Sequence, residues 1–229
     1  MNNTNLLSLL HLTDPTLPIG GFSHSSGLET YVQHGIVKDV ATAREFITGM
    51  LSQNLQYTDA ALVSLSYEAA MQNNFERILQ LDDECTAVKL PKEMRDASKK
   101  LGTRLIKVFS ALCETKITTR YKEAITSKSA AGNYCIAFGL YACALNIPKQ
   151  EALTGFYYNA AVGIVTNSVK LIPLGQLDGQ QLLFSLHPLI NDLVQKTLSP
   201  NPDLVGVCCT GFDIRSMQHE QLYSRLYMS

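Results

Sequence analysis

Three long segments of this chain are apolar on nearly every side, and they limit its fold more than any other feature. They span residues 58–70, 133–145 and 153–169. An apolar segment of that length is typical of a helix that is surrounded by other helices. The nearest approach to the alternating pattern of a β-strand, Leu204 to Cys209, is short and ambiguous. The pattern therefore predicts an all-α protein.

Amphipathic helices are expected around these central segments. Asp39 can cap a helix whose apolar face runs from Val40 to Leu55. A second amphipathic pattern covers residues 178–198, where Pro188 should kink the helix or divide it in two. Because the mean helix length is about 11–12 residues, the chain of 229 residues is predicted to form one compact bundle domain, 1–229, of about ten helices.

The charge of the chain excludes some classes of partner. Lys and Arg number 19 against 20 Asp and Glu, so the net charge of −1 provides no field for binding nucleic acid or an anionic membrane. Only 17% of the residues are charged, where about 25% is usual, which favours a subunit whose apolar surface is covered by partners. Neither a secretion signal nor a transmembrane segment is recognisable. We therefore expect a cytoplasmic protein with reduced cysteines.

The sequence lacks the common motifs that support catalysis or tight metal binding. The sequence contains no phosphate-binding G-x-x-x-x-G-K-[ST], no H-E-x-x-H and no G-x-S-x-G. The five histidines include no pair at i, i+4 spacing, and the six cysteines form no C-x-x-C pair. These absences predict a protein that is not an enzyme and that holds no cofactor or metal of its own.

Two chemical alternatives remain open at the level of sequence. The proline- and glycine-rich stretch LTDPTLPIGGFSHSSGLET places Ser23, His24 and Ser25 close together, which leaves a small helical hydrolase as one alternative. A rigid turn that leads into a helix cap explains the same residues and is favoured. The adjacent thiols of Cys208 and Cys209 would bind a soft metal if they were exposed and converged with His219, although a plain hydrophobic run is favoured there.

Three blocks of sequence, in the right order, resemble the urease accessory protein F (UreF) family. P-I-G-G-F-S-H-S-S-G-L-E at 18–29 resembles the N-terminal signature of that family, and K-L-I-P-L-G-Q at 170–176 resembles its K-x-x-P-L-G-Q stretch. F-D-I-R-S-M-Q-H-E at 212–220, followed by Y-S-R-L at 223–226, resembles its terminal signature. Tyr227 stands where the family has Phe. The resemblance spans essentially the whole chain.

The resemblance implies a function in urease maturation. Members of the family are all-α, non-enzymatic homodimers that bind the subunit UreD, also called UreH. The resulting scaffold recruits the GTPase UreG, regulates its GTP cycle and delivers nickel to apo-urease. Nickel is then handled by the complex and is not held tightly by this chain.

The resemblance also implies which residues bind partners. Residues 215–229 match the family's tail, which is mobile when free and orders on UreD, and Arg225 matches an arginine implicated in recruiting UreG. Lys170 matches a lysine proposed to face the GTPase, and residues 20–29 match a loop near an inter-subunit surface. The implied partner-binding residues are Gly20, Gly21, Phe22, Ser23, His24, Glu29, Lys170, Pro173, Gln176, Arg215, His219, Glu220, Tyr223, Ser224 and Arg225.

Overall fold

The computed structural model describes residues 2–228, and within that range every regular element is helical. Twelve α-helices are joined by short loops, which confirms the predicted all-α fold. The helices are α1 (Asn3–Leu12), α2 (Leu28–Gln33), α3 (Val40–Gly49), α4 (Asp59–Met71), α5 (Phe75–Val88), α6 (Lys92–Phe109), α7 (Lys116–Thr126), α8 (Tyr134–Ala144), α9 (Lys149–Leu171), α10 (Gln176–Ser185), α11 (His187–Thr197) and α12 (Thr210–His219). None of the helices in this range is long and apolar enough to cross a membrane.

The three apolar segments form α4, α8 and α9, the helices that contribute most to the core. Helix α8 is buried along nearly its whole length. It approaches α4 at Gly139, where a Cβ atom would collide with the Ser66 hydroxyl and would lie 2.7 Å from the Val63 carbonyl oxygen. Only a glycine permits this separation of the two helices. The apolar pattern therefore predicted the centre of the bundle correctly.

A buried carboxylate fixes the loop between α7 and α8. Asp82 on α5 is fully buried and accepts a hydrogen bond from the Tyr121 hydroxyl at 2.8 Å. The backbone N–H groups of Gly132 and Asn133 also donate to it, at 3.2 and 2.9 Å. Since buried carboxylates require several donors, this network holds α5, α7 and the start of α8 in one arrangement.

Two predicted helix boundaries are confirmed and one helix differs from its prediction. Asp39 caps α3 and accepts from the Thr42 N–H at 2.9 Å, and Pro188 opens α11 and so separates it from α10. The apolar face from Val40 to Leu55 does not belong to one α-helix, because α3 ends at Gly49 and a π-helical turn spans Met50–Leu55. The wider turn adds a residue to the repeat and rotates the residues that follow it.

Candidate functional site

The glycine-rich loop before α2 has a backbone that its glycines make possible. Gly20 has φ +85° and Gly27 has φ +78°, both in the left-handed region that side chains with a Cβ rarely adopt. Arg104 on α6 donates to the Ile19 carbonyl oxygen at 2.9 Å, and a Cβ at Gly20 would collide with its guanidinium. The loop is therefore pinned against α6 at its first glycine.

Helix α12 packs directly on the other end of this loop. A Cβ atom at Gly27 would lie 2.7 Å from the Ser216 hydroxyl and 3.1 Å from the Phe212 ring. Phe212 and Ser216 are both buried in this contact. The first and third blocks of the resemblance, which are about 190 residues apart in the chain, thus form one surface.

His219, the last residue of α12, lies between two carboxylates. Its side chain is 0% exposed. Its Nδ1 lies 2.6 Å from Oε2 of Glu93 on α6, and its Nε2 lies 3.2 Å from Oε2 of Glu29 on α2. Buried polar side chains need hydrogen-bond partners, and each ring nitrogen of His219 has one. The ring therefore joins α12 to both α2 and α6.

The chain beyond α12 returns to the same two carboxylates. Arg225 donates from Nη1 to Oε1 of Glu93 at 2.7 Å. Oε1 of Glu29 accepts from the Leu226 N–H at 2.7 Å, and its Oε2 accepts from the Tyr227 N–H at 3.1 Å. We call Glu29, Glu93, His219 and Arg225 the carboxylate clamp, and residues 221–228 the tail. Of the predicted tail 215–229, residues 215–219 belong to α12 and residue 229 lies outside the described residues.

The clamped tail exposes several apolar side chains to solvent. Ser224 accepts on its carbonyl oxygen from Gln33 Nε2 at 3.0 Å, and the Met228 N–H donates to the Ser23 carbonyl oxygen at 2.9 Å, so the tail lies along the loop. The loop, α12 and the tail each expose apolar side chains, namely Phe22, Ile214, Met217, Tyr223, Leu226 and Met228. Exposed apolar side chains that cluster are typical of a surface that binds another protein.

A cavity of about 380 Å³ lies beneath the loop, between α6 and α9. Among the predicted site residues, Gly21, Phe22, His24 and Lys170 line it. Asn167 on α9 donates to the His24 carbonyl oxygen at 2.9 Å. Burial lowers the pKa of the His24 imidazole, and the positive charges of Lys100 and Arg104 lower it further. The loop therefore covers a largely apolar cavity whose lining also contains charged side chains of both signs, among them Lys89, Lys170 and Asp59.

The remaining predicted residues have simpler surroundings. Lys170, Pro173 and Gln176 are exposed at the end of α9 and the start of α10. Arg215 donates to the Gln218 side chain at 2.9 Å on its own helix, and Glu220 is exposed just after α12. The structure thus brings the glycine-rich loop and the tail together, whereas Pro173 and Gln176 make no side-chain hydrogen bond to either within residues 2–228.

The two chemical alternatives gain no support from this geometry. Ser25 is fully buried, and the Ser23 hydroxyl donates to the Gly20 carbonyl oxygen at 2.8 Å. His219 is enclosed by carboxylates, while Cys208 lies exposed on a loop. Within residues 2–228 no group of three or more His, Cys, Asp or Glu side chains is arranged to hold a metal ion. Cys135 is buried in the core, and Cys143 is half-buried.

Sequence reasoning missed Glu93, which joins two residues of the candidate site. It lies in the first turn of α6, in a stretch that reads as an ordinary charged helix start. Only the tertiary fold places it against His219, 126 residues away. A carboxylate that faces a histidine and an arginine from a distant segment leaves no local pattern in the sequence.

The fold and the site together define an all-helical protein in which a glycine-rich loop and a C-terminal segment form one surface with exposed apolar side chains. The UreF family model matches residues 37–187, which include neither the glycine-rich loop nor the tail. Full-length relatives extend the match over both. A urease accessory protein UreF from Actinobacillus pleuropneumoniae serotype 5b is 49% identical over 222 residues, which cover 97% of this chain and 98% of that protein.

Further relatives carry the same name. A urease accessory protein UreF from Haemophilus influenzae Rd is 47% identical over 226 residues, 99% of this chain and 96% of its own. Another from Lachnoclostridium phytofermentans is 35% identical over 224 residues, 98% of each chain. The chain therefore belongs to the UreF family, as its three sequence blocks predicted.

Proposed function

We propose that this chain is a urease accessory protein that acts in the cytoplasm as a non-enzymatic scaffold. It forms a homodimer, binds UreD/UreH through the clamped tail, recruits the GTPase UreG and regulates its GTP cycle while nickel is delivered to apo-urease. Nickel is the cargo of the assembly and has no resident site on this chain. The names of full-length relatives support the urease-related role.

The observation that carries the proposal is the clamped tail. A terminal segment is usually poorly ordered unless something ties it down. Here the buried carboxylate of Glu29 and the partly buried one of Glu93 hold it, while Tyr223, Leu226 and Met228 are exposed. Aromatic residues and methionine are enriched at the centres of protein interfaces. These exposed apolar side chains, next to the glycine-rich loop, are suited to binding a folded partner.

Light scattering coupled to size exclusion tests the proposal. The full chain is compared with a chain truncated after Glu220, each alone and with UreD/UreH and UreG. This truncation keeps α12 and His219 and removes only the tail, so the helical fold should remain, which circular dichroism would verify. We expect a dimer in both cases and the larger complex with the full chain only.

A matched variant separates the tail from general surface effects. Asp192 forms an exposed ion pair with Lys196 within α11, distant in sequence from the loop and the tail. Asp192→Asn should form the same complexes as the unmodified chain. If the full chain binds neither partner, or if the truncated chain binds both as well as the full chain does, the proposed role of the tail is wrong.

A further inference from the structure

Two thiols meet in the centre of the bundle. Sγ of Cys85 on α5 lies 3.4 Å from Sγ of Cys135 on α8, close enough for one thiol to donate to the other. Both cysteines are free, and both are 0% exposed. We infer that this pair is a modification site, at which hydrogen peroxide converts the two thiols into a disulfide that joins α5 to α8. The inference goes beyond the proposed function and does not rest on it.

The two helices are already fixed to each other beside the thiols. Asp82, one turn before Cys85, accepts from the Asn133 N–H at 2.9 Å and from the Asn133 side-chain amide at 3.0 Å. Asn133 lies two residues before Cys135. A disulfide has a sulfur–sulfur separation of about 2.05 Å, so the two sulfurs need to move about 1.4 Å closer together. Side-chain torsions can supply a shift of that size while both helices stay in place.

The thiols lie beside the cavity beneath the glycine-rich loop. Lys89, one turn after Cys85, and Tyr134, next to Cys135 in the chain, both line this cavity. Burial lowers the pKa of Lys89, but Asp59 and the two thiols together raise it more, so the ammonium and the sulfurs are close neighbours. A cavity of about 380 Å³ admits hydrogen peroxide, which is little larger than water. It therefore gives a small oxidant a route towards thiols that have no exposed surface.

The surroundings keep the pair reduced until peroxide is present. Burial raises the pKa of the Cys135 thiol, and the Lys89 ammonium opposes that rise only in part. Because the thiolate is the form that attacks an oxidant, we expect a reaction that is slower than that of an exposed cysteine. The free thiols in the structure are the reduced state of the site.

The reaction needs no reactant other than peroxide. One thiolate attacks an oxygen of hydrogen peroxide, the O–O bond breaks, and a sulfenic acid forms while the departing hydroxide takes up the thiol proton as water. The second thiol attacks the sulfenic sulfur, the S–O bond breaks, and a second water leaves as the S–S bond forms. The two thiols lose two electrons and two protons, and peroxide is reduced to two waters. A partner thiol at 3.4 Å can capture the sulfenic acid before it is oxidised further.

The disulfide should stabilise the bundle. It joins residues that are 50 positions apart, which restricts the unfolded chain far more than the folded one. The expected result is a rise in Tm of at least about 5 °C on oxidation. Since disulfides are reversible by thiols, the site can tighten the core under oxidising conditions and release it when reductant returns.

Mass spectrometry tests whether the link forms. The experiment uses the full chain with Cys208→Ser and Cys209→Ser, because Cys208 is exposed and would react first. After peroxide treatment and alkylation of the remaining thiols, we expect a peptide of α5 that contains Cys85 linked to a peptide of α8 that contains Cys135. Cys85 and Cys135 that remain alkylated thiols, or that gain oxygen without becoming linked, would show that the contact is packing alone.

Thermal unfolding tests the consequence of the link. The peroxide-treated chain should unfold at the higher temperature, and dithiothreitol should return its Tm to the starting value. The matched control adds Cys85→Ala to the same chain, where peroxide should not raise the Tm; Cys135→Ala serves equally if that variant folds poorly. An oxidised chain that contains the link but unfolds at the same or a lower temperature contradicts the stabilising role.

A bulky oxidant tests the route through the cavity. In the unmodified chain, glutathione disulfide should modify Cys208 but leave Cys85 and Cys135 as thiols, whereas peroxide should link the pair. Peptide mapping of both samples at matched times distinguishes the two results. If glutathione disulfide links the pair as fast as peroxide does, the thiols are reached by opening of the fold and the assigned route is wrong.

Discussion

Asp82 on α5 and Asn133 at the start of α8 are joined by a backbone and a side-chain hydrogen bond, at 2.9 and 3.0 Å, although neither residue is exposed to solvent. The Tyr121 hydroxyl and the N–H groups of Gly132 and Asn133 all donate to the Asp82 carboxylate. Asp82→Asn would place an amide NH₂ against those donors, and we expect a loss of about 3 kcal/mol in the free energy of unfolding. Urea unfolding of Asp82→Asn measures it.

The neighbouring residue provides the control for this prediction. Asp83 is exposed on the same helix, so Asp83→Asn should change the free energy of unfolding by no more than about 0.5 kcal/mol. Similar losses in Asp82→Asn and Asp83→Asn would mean that the buried network does not stabilise the loop between α7 and α8.

A second prediction concerns the ion pair beside the cavity. Lys89 and Asp59 lie 2.6 Å apart with side chains only 11% and 18% exposed. Lys89→Met leaves a shielded carboxylate unpaired and should lower the free energy of unfolding by about 3–5 kcal/mol. Lys89→Met combined with Asp59→Leu removes both charges and should lower it by less. Lys196→Met breaks an exposed pair and should cost under about 1 kcal/mol. Thermal unfolding of the three variants measures these losses. A double variant that loses as much stability as Lys89→Met, or more, would count against the pair.

The close approach of α6 to the loop before α8 gives a third prediction. A Cβ at Gly102 would collide with the Gly132 carbonyl oxygen and would lie 2.7 Å from a backbone carbon of Asn133. Gly102→Ala should therefore lower the free energy of unfolding by at least about 2 kcal/mol. Gly163, in α9, has open space at the same position, so Gly163→Ala should raise it by about 0.5–1 kcal/mol. Chemical denaturation that ranked the two variants in the opposite order would refute this packing.

A fourth prediction follows from the lowered pKa of His24. The folded state disfavours the charged imidazole because burial and the charges of Lys100 and Arg104 oppose it. As the pH falls below about 6.5, the unfolded chain takes up a proton that the folded chain does not, so the His24 contribution to stability is lost. The difference in unfolding free energy between the unmodified chain and His24→Gln should shrink on acidification. If this difference in unfolding free energy grows on acidification, the prediction is wrong.

The helical core was predictable because its signal is local. Residues 58–70, 133–145 and 153–169 are apolar on all sides, and Pro188 and Asp39 mark helix ends by their own backbone chemistry. The π-helical turn at Met50–Leu55 was not predictable in this way, because residues at i, i+3 and i+4 look the same whether or not one turn is wider.

The candidate site was only partly predictable for a different reason. The glycine-rich loop and the C-terminal block stood out, since glycines at positive φ and a run of mixed polar and aromatic residues are unusual in sequence. Their mutual contact was not visible, nor was the part of Glu93, because both depend on segments brought together by the fold. The burial of His219 likewise follows from α2 and α6 and from nothing in its own helix.

The anchoring of the tail by N–H groups leaves the side chains of Leu226 and Met228 unconstrained. Glu29 accepts from the Leu226 N–H and the Ser23 carbonyl oxygen accepts from the Met228 N–H, and every residue except proline would present the same N–H group. The outward side chains of Leu226 and Met228 can therefore be exchanged without disturbing the fold that presents them. Partner specificity could then be redesigned by grafting new residues at 226 and 228 onto an unaltered support.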